Sequence, residues 1–540
     1  MTVHKKTNLL PKTCDQNCCE NHVGTAPFQP MNEFVFGKSS ASFSSAARLA
    51  STTADRRTPV ITCKRTQFNQ FVDQFPSSAE PTKFGSLELV SSGWRHRKAT
   101  GDYFIIHPVR QPFEAHALSE VSFRDLGVRE ELVENLKQRH ALFPTAYQAE
   151  AMPAVLNGDH VLLAAETGCG KTYSYLVPIV EGILRRKLNG GEREFNSPLV
   201  LIMTPGRELA QQIGRVVEGL TRGLDITSRV LLGGRTRQQM LNPHFEEVDI
   251  LVASFGAISK LITSGIYRTD AVRWVVLDEA DTLLDDSFNA KLLHLMKRFP
   301  FHKNHLQDLG DNVRGTQLVL AAATMPTNMD ELLGRLVNIE TMEEVVSPNL
   351  HRLMTHVSQR FMRVTKQDRP QILLDLVRKD IKRQRPLIIF SNKTATCDFV
   401  SIQLNEAGIP CVNLNGDMLL KIRLGQFEKF QQAEVNVLST TDVASRGLDT
   451  TRAAHVINFD FPLYAADYIH RIGRIGRVGS RGDCLVTNLV SSQAEIDAVQ
   501  RVEHSARAND PLANVNANVK GIIRRKIEKS LKALDGTVGN

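Results

Sequence analysis

Residues 160–172 read HVLLAAETGCGKT, a short apolar run followed by a glycine-rich loop. The run His160–Ala164 has the length of a buried strand, and the apolar stretch Tyr173–Val180 after the loop is typical of a helix. In such a loop, glycines let backbone N–H groups surround phosphate oxygens. Lys171 can then reach the terminal phosphates, and Thr172 can bind Mg²⁺ at the helix start. The order strand, loop, helix therefore predicts a nucleotide-phosphate site.

The predicted phosphate loop departs from the general pattern at Ala165, where the first glycine is expected. Lys171 is a candidate catalytic group, and Thr172 is a candidate metal ligand. All eight residues of the loop are candidate nucleotide contacts: Ala165, Glu166, Thr167, Gly168, Cys169, Gly170, Lys171 and Thr172.

A second apolar run, Trp274–Leu277, leads into the acidic sequence DEAD at residues 278–281. Parallel sheets bind ligands at the carboxyl ends of their strands, which is where these carboxylates fall. Asp278 can hold the water shell of Mg²⁺, and Glu279 can activate an attacking water. The alternative, a surface acidic turn, agrees poorly with the apolar strand before it.

Residues 470–477 read HRIGRIGR, with three arginines spaced by three residues. Arginine suits a transferring phosphoryl group because its planar, permanently charged fork neutralises charge spread over the γ-phosphate oxygens. We expect Arg474 and Arg477 to act there, together with His470. Because this segment lies far along the chain from the phosphate loop, hydrolysis would require two lobes to close.

Apolar runs alternate with helical stretches in two series, which predicts an α/β fold with two tandem parallel-sheet lobes. The expected boundaries are an N-terminal extension at 1–115, a first lobe at 116–345, a second lobe at 346–503 and a basic tail at 504–540. The runs of the first series are His160–Ala164, Leu199–Met203, Ser228–Leu232, Asp249–Val252, Trp274–Leu277 and Gln317–Ala321. Those of the second are Pro386–Phe390, Pro410–Leu414, Val435–Leu438, His455–Phe459 and Gly482–Leu489.

Composition restricts the class of protein. The 540 residues are 42% hydrophobic, and no uncharged apolar run reaches the roughly 18 residues of a membrane helix. The eight cysteines, several of them within predicted core or nucleotide-loop segments, do not form a disulfide framework, which favours a reducing compartment. The net charge of +8 is concentrated at the ends: residues 1–110 hold 14 basic and 8 acidic side chains, and residues 504–540 hold 7 and 3. Nucleic-acid contacts in the nearly neutral body must therefore be local.

The N-terminal and C-terminal regions of the chain each contain a recognisable sequence pattern. From Met31 the chain is rich in Ser, Ala and Arg and poor in acids, as in a mitochondrial transit peptide, although a flexible serine-rich linker is the alternative. Four possible metal ligands lie close together before Met31: Cys14, Cys18, Cys19 and His22. No second pair of ligands follows at zinc-site spacing, which argues against a zinc site. Near the other end, Val519–Leu534 predicts an amphipathic basic helix that either docks on the second lobe or contacts RNA phosphates.

The phosphate loop, the DEAD tetrad and HRIGRIGR, in that order, resemble the DEAD-box ATP-dependent RNA helicases over roughly residues 120–500. The resemblance implies two RecA-like lobes, ATP, Mg²⁺ and RNA. It also implies that Gln148, within FPTAYQ at residues 143–148, reads adenine, and that Phe123 stacks on the base. By the same resemblance, Asp449 contacts the ribose of ATP. Three residues are expected to line the RNA path: Arg207, Gly234 and Thr441.

Several positions depart from the family pattern. His140 and Ala141 replace a glycine and an aromatic residue, which predicts a looser adenine loop. Gly206 replaces a threonine, Ala322 replaces a serine, and SFGA at residues 254–257 replaces TPGR. Lost phosphate contacts weaken binding, so we expect reduced RNA affinity, to be tightened by Gly206→Thr and Ala257→Arg.

Residues 277–288, the altered third motif around Ala322 and residues 458–462 resemble a mitochondrial branch of the family associated with large ribosomal subunit assembly. The sequence thus predicts an RNA-dependent ATPase that locally unwinds or remodels RNA in the mitochondrial matrix. Its expected partners are ribosomal RNA and ribosome-assembly proteins, without membrane insertion. An ATP-dependent RNA clamp or assembly scaffold with weak unwinding is the main alternative, a DNA helicase is a further one, and the nucleus and cytoplasm are alternative compartments.

Overall fold

The computed structural model describes both lobes and most of the segments that connect them. The described residues are 59–71, 87–108, 117–188, 194–234, 236–284, 288–302, 315–326, 329–354, 356–442, 450, 452–477, 483–513 and 515. Several predicted features lie outside them: the leader around Met31, Cys14, Cys18, Cys19, His22, Asp449 and the tail helix Val519–Leu534.

The described residues contain two sheets. Their strands, numbered in chain order, are β1 (Ile61–Cys63), β2 (Tyr103–Ile106), β3 (Val161–Ala164), β4 (Val200–Thr204), β5 (Ser228–Leu231), β6 (Ile250–Ser254), β7 (Trp274–Asp278), β8 (Gln317–Ala322), β9 (Glu343–Val346), β10 (Ser358–Arg363), β11 (Leu387–Ser391), β12 (Cys411–Leu414), β13 (Val437–Thr441), β14 (His455–Asn458) and β15 (Leu485–Val490).

Helices cover both faces of these sheets. In chain order they are α1 (Glu130–Gln138), α2 (Ala146–Leu156), α3 (Lys171–Leu188), α4 (Arg207–Leu220), α5 (Thr236–Leu241), α6 (Phe255–Thr263), α7 (Ala280–Leu283), α8 (Asn289–Met296), α9 (Met329–Leu333), α10 (Arg369–Lys382), α11 (Thr394–Glu406), α12 (Leu420–Gln431), α13 (Ala465–Ile472) and α14 (Gln493–Ala508). Among the residues described, no helix has both the length and the apolar character needed to cross a bilayer.

The first sheet has the strand order β5-β6-β4-β7-β8-β3-β9, and all neighbouring strands are parallel. Both of its faces are buried: Leu163 packs into the hydrophobic core on one face and Leu162 into the core on the other. A parallel sheet needs such double cover, which explains why its strands read as unbroken apolar runs. The prediction of a parallel-sheet first lobe is confirmed, and β9 adds an edge strand that the sequence analysis missed.

The second sheet has the order β1-β2-β10-β15-β14-β11-β13-β12, parallel from β10 onward. The predicted second lobe is therefore confirmed. Strand β10 was not predicted, because Phe361 and Met362 are its only large apolar residues. Its Gln359 is fully buried and accepts a hydrogen bond from the Tyr468 hydroxyl at 2.7 Å.

Part of the predicted N-terminal extension belongs to the second sheet. Strand β2 pairs antiparallel with β10, and the stacked rings of Phe104 and Phe361 have centroids 4.6 Å apart. Nearby, the backbone N–H groups of Val90 and Ser91 each donate to the Glu503 carboxylate of α14 at 2.9 Å. The expectation that residues 1–115 form a flexible extension is thus corrected for these strands, which gain apolar contacts and backbone partners on the second lobe.

Candidate functional site

The phosphate loop joins β3 to α3 at the carboxyl edge of the first sheet. Gly168 and Gly170 have φ values of +90° and +93°, the left-handed region that glycine adopts without steric penalty. A Cβ on Gly170 would overlap the Gln148 side chain, and a Cβ on Gly168 would lie 3.0 Å from Arg477 Cγ. Both glycines are therefore required by conformation and by space.

Lys171 is held inside the same loop. Its Nζ donates to the carbonyl oxygens of Ala165 at 2.6 Å and Glu166 at 2.9 Å. Cys169 is fully buried, and this burial raises the pKa of its thiol to about 11. The thiol is consequently neutral near pH 7 and adds no negative charge to a loop that would surround phosphates.

The residues expected at adenine are both buried. Gln148 is 5% exposed; its Oε1 accepts from the Thr145 backbone N–H at 2.9 Å, and its Nε2 donates to the Gly170 carbonyl at 3.2 Å. Phe123 is 1% exposed within the core of the first lobe. His140 has φ of +62°, so it adopts the conformation that the expected glycine would favour. The roles of Gln148 and Phe123 toward adenine stay predictions.

The acidic pair follows β7. Asp278 Oδ2 accepts from the Tyr175 hydroxyl at 2.8 Å, and burial raises the pKa of Asp278 to about 6. Glu279 has φ of +52°, and its Oε2 is buried without a hydrogen-bond donor among the described residues. Buried carboxylate oxygens of this kind, beside the hydroxyl of Thr172, fit a hydrated Mg²⁺ ion, which prefers oxygen ligands and retains several waters.

Asp281 connects the two lobes. Its Oδ2 accepts from Thr324 N at 2.9 Å and Thr324 Oγ1 at 2.7 Å, and it lies 3.7 Å from His470 Nε2 of the second lobe. Burial opposes ionisation of Asp281, but the interactions with His470 and Thr324 outweigh it and lower its pKa to about 2. The sequence analysis gave Asp281 and Thr324 no role; the available signal was the fourth letter of the DEAD tetrad.

The three evenly spaced arginines have different environments. Arg471 has no exposed surface, and its Nε and Nη2 bind the two carboxylate oxygens of Asp442 at 2.5 and 2.6 Å. It therefore stabilises the interior of the second lobe. Arg474 and Arg477 instead line a cleft between the lobes. The contact of Arg474 and Arg477 with a phosphoryl group stays a prediction.

The cleft, of about 360 Å³, brings all six predicted catalytic residues together. The lobes approach closely, since a Cβ on Gly473 would overlap Thr167 Oγ1. The predicted residues that line it are Thr167, Gly168, Gly170, Lys171, Thr172, Asp278, Glu279, His470, Arg474 and Arg477. Those outside its lining are Phe123, Gln148, Ala165, Glu166 and Cys169, while Asp449 lies outside the described residues.

The residues expected along the RNA path lie on both lobes. Arg207 begins α4 beside the turn Gly233–Gly234: a Cβ on Gly233 would lie 3.1 Å from Arg207 Nε. Gly234 has φ of +104°, which requires glycine. Thr441 ends β13 in the second lobe and is 6% exposed. Arg207 and Gly234 are thus neighbours, and Thr441 belongs to the opposite lobe.

An ion pair between the lobes was missed. Glu208 Oε1 on α4 and Arg423 Nη2 on α12 are 2.8 Å apart, with side chains 13% and 11% exposed. The two atoms are not aligned as a hydrogen bond, so the contact is mainly electrostatic. No local pattern marks these residues, since each reads as an ordinary charged position on a helix.

The structure separates the two substitutions expected to tighten RNA binding. A Cβ on Gly206 would meet only Glu208 Oε2, at 3.7 Å, so the position has room for a β-carbon. Ala257 on α6 has no exposed surface, so an arginine would require its neighbours to move. Ala257→Arg is therefore an unsuitable test, which corrects the expectation from sequence.

Both lobes match known protein families. Residues 145–332 match the DEAD/DEAH box helicase family, and residues 368–479 match the helicase conserved C-terminal domain. Relatives named probable ATP-dependent RNA helicase DDX28, from Mus musculus and Homo sapiens, are 33% identical over 473 and 484 residues. Each alignment covers 85% of this chain and 86% of the relative.

Solved structures share the fold. Dbp5 of S. cerevisiae bound to RNA and ADP BeF3 has a TM-score of 0.59 at 23% identity, covering 76% of this chain and 99% of that one. Mss116p bound to ssRNA and AMP-PNP has a TM-score of 0.61 at 24% identity, covering 73% and 79%. At these identities the likeness shows the fold alone: two RecA-like lobes.

Fold and cleft define an ATPase built from two RecA-like lobes. The chain belongs to the DEAD-box family of ATP-dependent RNA helicases. The family and the enzyme class predicted from the motifs are thereby confirmed.

Proposed function

We propose that this helicase couples ATP hydrolysis to local unwinding or remodelling of structured RNA. The observation that carries the proposal is the interlobe cleft, where the phosphate loop and acidic pair of one lobe face the arginines of the other. Because neither lobe holds the whole catalytic set, hydrolysis depends on their approach.

The residues of the cleft have different roles in hydrolysis. Lys171 and the loop N–H groups bind the phosphates of ATP. Glu279 accepts a proton from the water that attacks the γ-phosphorus, and the bond from that phosphorus to the β–γ bridging oxygen breaks. Arg474 and Arg477 neutralise charge on the transferring group. Thr172 and Asp278 would hold Mg²⁺, which would supply positive charge that neutralises the phosphates.

RNA binding is proposed across both lobes. Arg207 and Gly234 contact the backbone from the first lobe, and Thr441 contacts it from the second. Contacts to backbone carry little sequence information, so weak sequence preference follows. RNA that bridges the lobes favours their approach, which explains why RNA would stimulate hydrolysis.

The proposed location is the mitochondrial matrix, and the proposed RNA is ribosomal RNA of the large subunit. The support is the Ser-, Ala- and Arg-rich stretch after Met31 and the resemblance of residues 277–288 and 458–462 to the branch of the family with that role. Sequencing the RNA crosslinked to the protein in fractionated cells tests both. RNA from the cytoplasm or nucleus alone would overturn this part of the proposal.

A second candidate function is an ATP-dependent RNA clamp with weak unwinding. It is favoured by the first lobe, where Gly206 offers no hydroxyl to the RNA. A release assay with a short duplex, run beside an ATPase assay on the same RNA, separates the two functions. Unwinding predicts duplex release that requires ATP and is lost in Glu279→Gln; a clamp predicts RNA-stimulated hydrolysis with little release.

A further inference from the structure

A tyrosine hydroxyl lies behind the two residues that fit a hydrated magnesium ion. Tyr175 on α3 has no exposed surface, and its hydroxyl donates to Asp278 Oδ2 at 2.8 Å. The ring packs in the hydrophobic core on one face of the first sheet. Thr172 and Asp278 line the ATP cleft, and Tyr175 does not. Tyr175 is therefore not a contact of the nucleotide or its metal ion, and it can act only through its neighbours.

The Tyr175 hydroxyl interacts with residues on two sides. Thr172 lies three residues earlier on α3, which places both side chains on one face of the helix. Burial raises the pKa of Tyr175 well above its usual value, as does the negative charge of Asp278, whereas a hydrogen bond with the Thr172 side chain lowers it. A hydrogen bond lowers the pKa of a phenol when the phenol oxygen accepts it. Thr172 therefore donates to Tyr175, and Tyr175 donates to Asp278.

The other oxygen of Asp278 is fixed as well. Its Oδ1 accepts from the backbone N–H of Glu279 at 2.8 Å, so each carboxylate oxygen has one donor. Because a carboxylate oxygen has two lone pairs, each oxygen keeps one for a further donor, such as a metal-bound water. The carboxylate of Asp278 is thus held in one orientation and can still receive the hydration shell of Mg²⁺.

We propose that Tyr175 is a positioning residue of the magnesium site: it accepts a hydrogen bond from Thr172 and donates one to Asp278. The inference rests on the proposed function, in which Thr172 and Asp278 hold Mg²⁺. A hydroxyl that binds a metal ion through its oxygen directs its proton to another acceptor, and the Tyr175 oxygen is the buried acceptor beside Thr172. Groups that orient metal ligands through such hydrogen bonds contribute about 10- to 100-fold to metal affinity.

The test uses the full chain and measures binding of the nucleotide and of the metal separately. Fluorescent ADP gives the nucleotide affinity in EDTA. At a fixed, subsaturating concentration of the same ADP, a titration then gives the Mg²⁺ concentration for half of the further fluorescence change. Tyr175→Phe removes the hydroxyl and keeps the ring. Tyr267→Phe is the matched control, because Tyr267 is a buried tyrosine of the same lobe that interacts with Arg229 and does not line the cleft.

We expect Tyr175→Phe to require about tenfold more Mg²⁺ for half of the change. Its ADP affinity in EDTA should stay within about twofold of the wild type, because the phosphate loop is unaltered. The Mg²⁺ dependence of the RNA-stimulated ATPase should shift in the same way. Its kcat should recover to within about threefold at saturating Mg²⁺, since both metal ligands remain. Tyr267→Phe should change none of these values.

An unchanged Mg²⁺ requirement in Tyr175→Phe overturns the proposal. Equal weakening of ADP binding with and without Mg²⁺ also overturns it, because a merely structural role of the hydroxyl predicts that result. Combining Thr172→Ala with Tyr175→Phe should raise the Mg²⁺ requirement by less than the product of the two single effects, since both changes break one chain of hydrogen bonds. Effects that multiply in full would overturn the link between the two side chains. Wild-type ADP binding that does not respond to Mg²⁺ would instead defeat the proposed magnesium site itself.

Discussion

His470 Nε2 of the second lobe lies 3.7 Å from Asp281 Oδ2 of the first lobe, and both side chains are nearly inaccessible to solvent. The same oxygen accepts two hydrogen bonds from Thr324, at the end of the altered third motif. Glu279, proposed to activate the attacking water, is two residues before Asp281. This contact between the lobes therefore lies close in sequence to the carboxylate that we propose to be catalytic.

This relationship predicts strong coupling between the two residues. Asp281→Asn and His470→Ala should each lower RNA-stimulated kcat by about tenfold or more, because each leaves a buried polar partner unpaired. The double variant should be no worse than the more severe single variant, since one interaction is lost in all three. Steady-state ATPase assays at saturating RNA give kcat for the wild type, the two single variants and the double variant, which together form a double-mutant cycle.

The control for that cycle is His504→Ala, which removes an exposed histidine from α14. It should leave kcat unchanged. Additive losses in the double variant would show that Asp281 and His470 act independently.

Gly206→Thr should tighten binding of single-stranded RNA. A β-carbon at this position meets no backbone atom, and a threonine hydroxyl can donate to a phosphate oxygen. We expect the dissociation constant to fall by about three- to tenfold, a gain of about 1 kcal/mol. Fluorescence anisotropy measures it.

Gly425→Thr adds the same side chain at an exposed position of α12 with open space around it. Its affinity should match the wild type. If Gly206→Thr and the wild type bind RNA with equal affinity, then the glycine at position 206 does not weaken RNA binding.

Glu503→Ala should destabilise the second lobe. The Glu503 carboxylate is fully buried, accepts from the backbone N–H groups of Val90 and Ser91, and pairs with Arg507 at 2.9 Å. Removing the carboxylate leaves the buried Arg507 guanidinium without its ion-pair partner and two backbone N–H groups without an acceptor. This loss lowers the free energy of unfolding by about 3–5 kcal/mol. Urea denaturation followed by circular dichroism measures the loss.

Asp497→Ala is the control, because it breaks a half-exposed ion pair, Arg95–Asp497, between the same two segments. It should cost less than about 1 kcal/mol. Equal small losses in both variants would mean that residues 87–99 contribute little to this lobe.

His160 predicts a pH-dependent stability of the first lobe. Burial lowers the pKa of His160 to about 4; its Nδ1 accepts from Leu318 N at 3.0 Å, and its Nε2 lies 2.7 Å from the His302 carbonyl. Because this native pKa is below the usual value near 6.5, the unfolded chain binds more protons between the two pKa values. Stability is therefore complete above pH 6.5 and falls by about 2 kcal/mol between pH 7 and pH 5.

His160→Asn keeps an acceptor for Leu318 N but cannot take up that proton. Its urea midpoint should change less between pH 7 and pH 5 than that of the wild type. An unchanged pH dependence would assign the effect to other groups.

Local patterns predicted the parts of the site whose function depends on local chemistry. The phosphate loop combines an apolar strand, closely spaced glycines and Lys171 within a few residues, so its fold and use follow from its sequence. The acidic pair Asp278–Glu279 was predicted in the same way, because it directly follows the apolar run of β7. Two parallel lobes followed from apolar runs because strands buried on both faces have no alternation to obscure them.

Other features depend on partners far along the chain. Strand β10 is only partly apolar, and β1 and β2 are only three and four residues long; their place in the sheet depends on pairing with distant strands, β2 with β1 and β10, and β10 with β2 and β15. Spacing alone does not separate Arg471 from Arg474, since only the fold places Asp442 against the first. The pair Glu208–Arg423 likewise arises from helices that meet only in the folded chain.

The central claim is that RNA binding across both lobes drives hydrolysis by Glu279. The most direct measurement is ATPase rate against single-stranded RNA concentration for the wild type, Glu279→Gln and Lys171→Ala, with ATP binding measured by fluorescent nucleotide. We predict a rate that rises with RNA in the wild type, no turnover with retained ATP binding in Glu279→Gln, and impaired nucleotide binding in Lys171→Ala. A wild-type rate that is the same with and without RNA, or near-normal hydrolysis by Glu279→Gln, would contradict the claim.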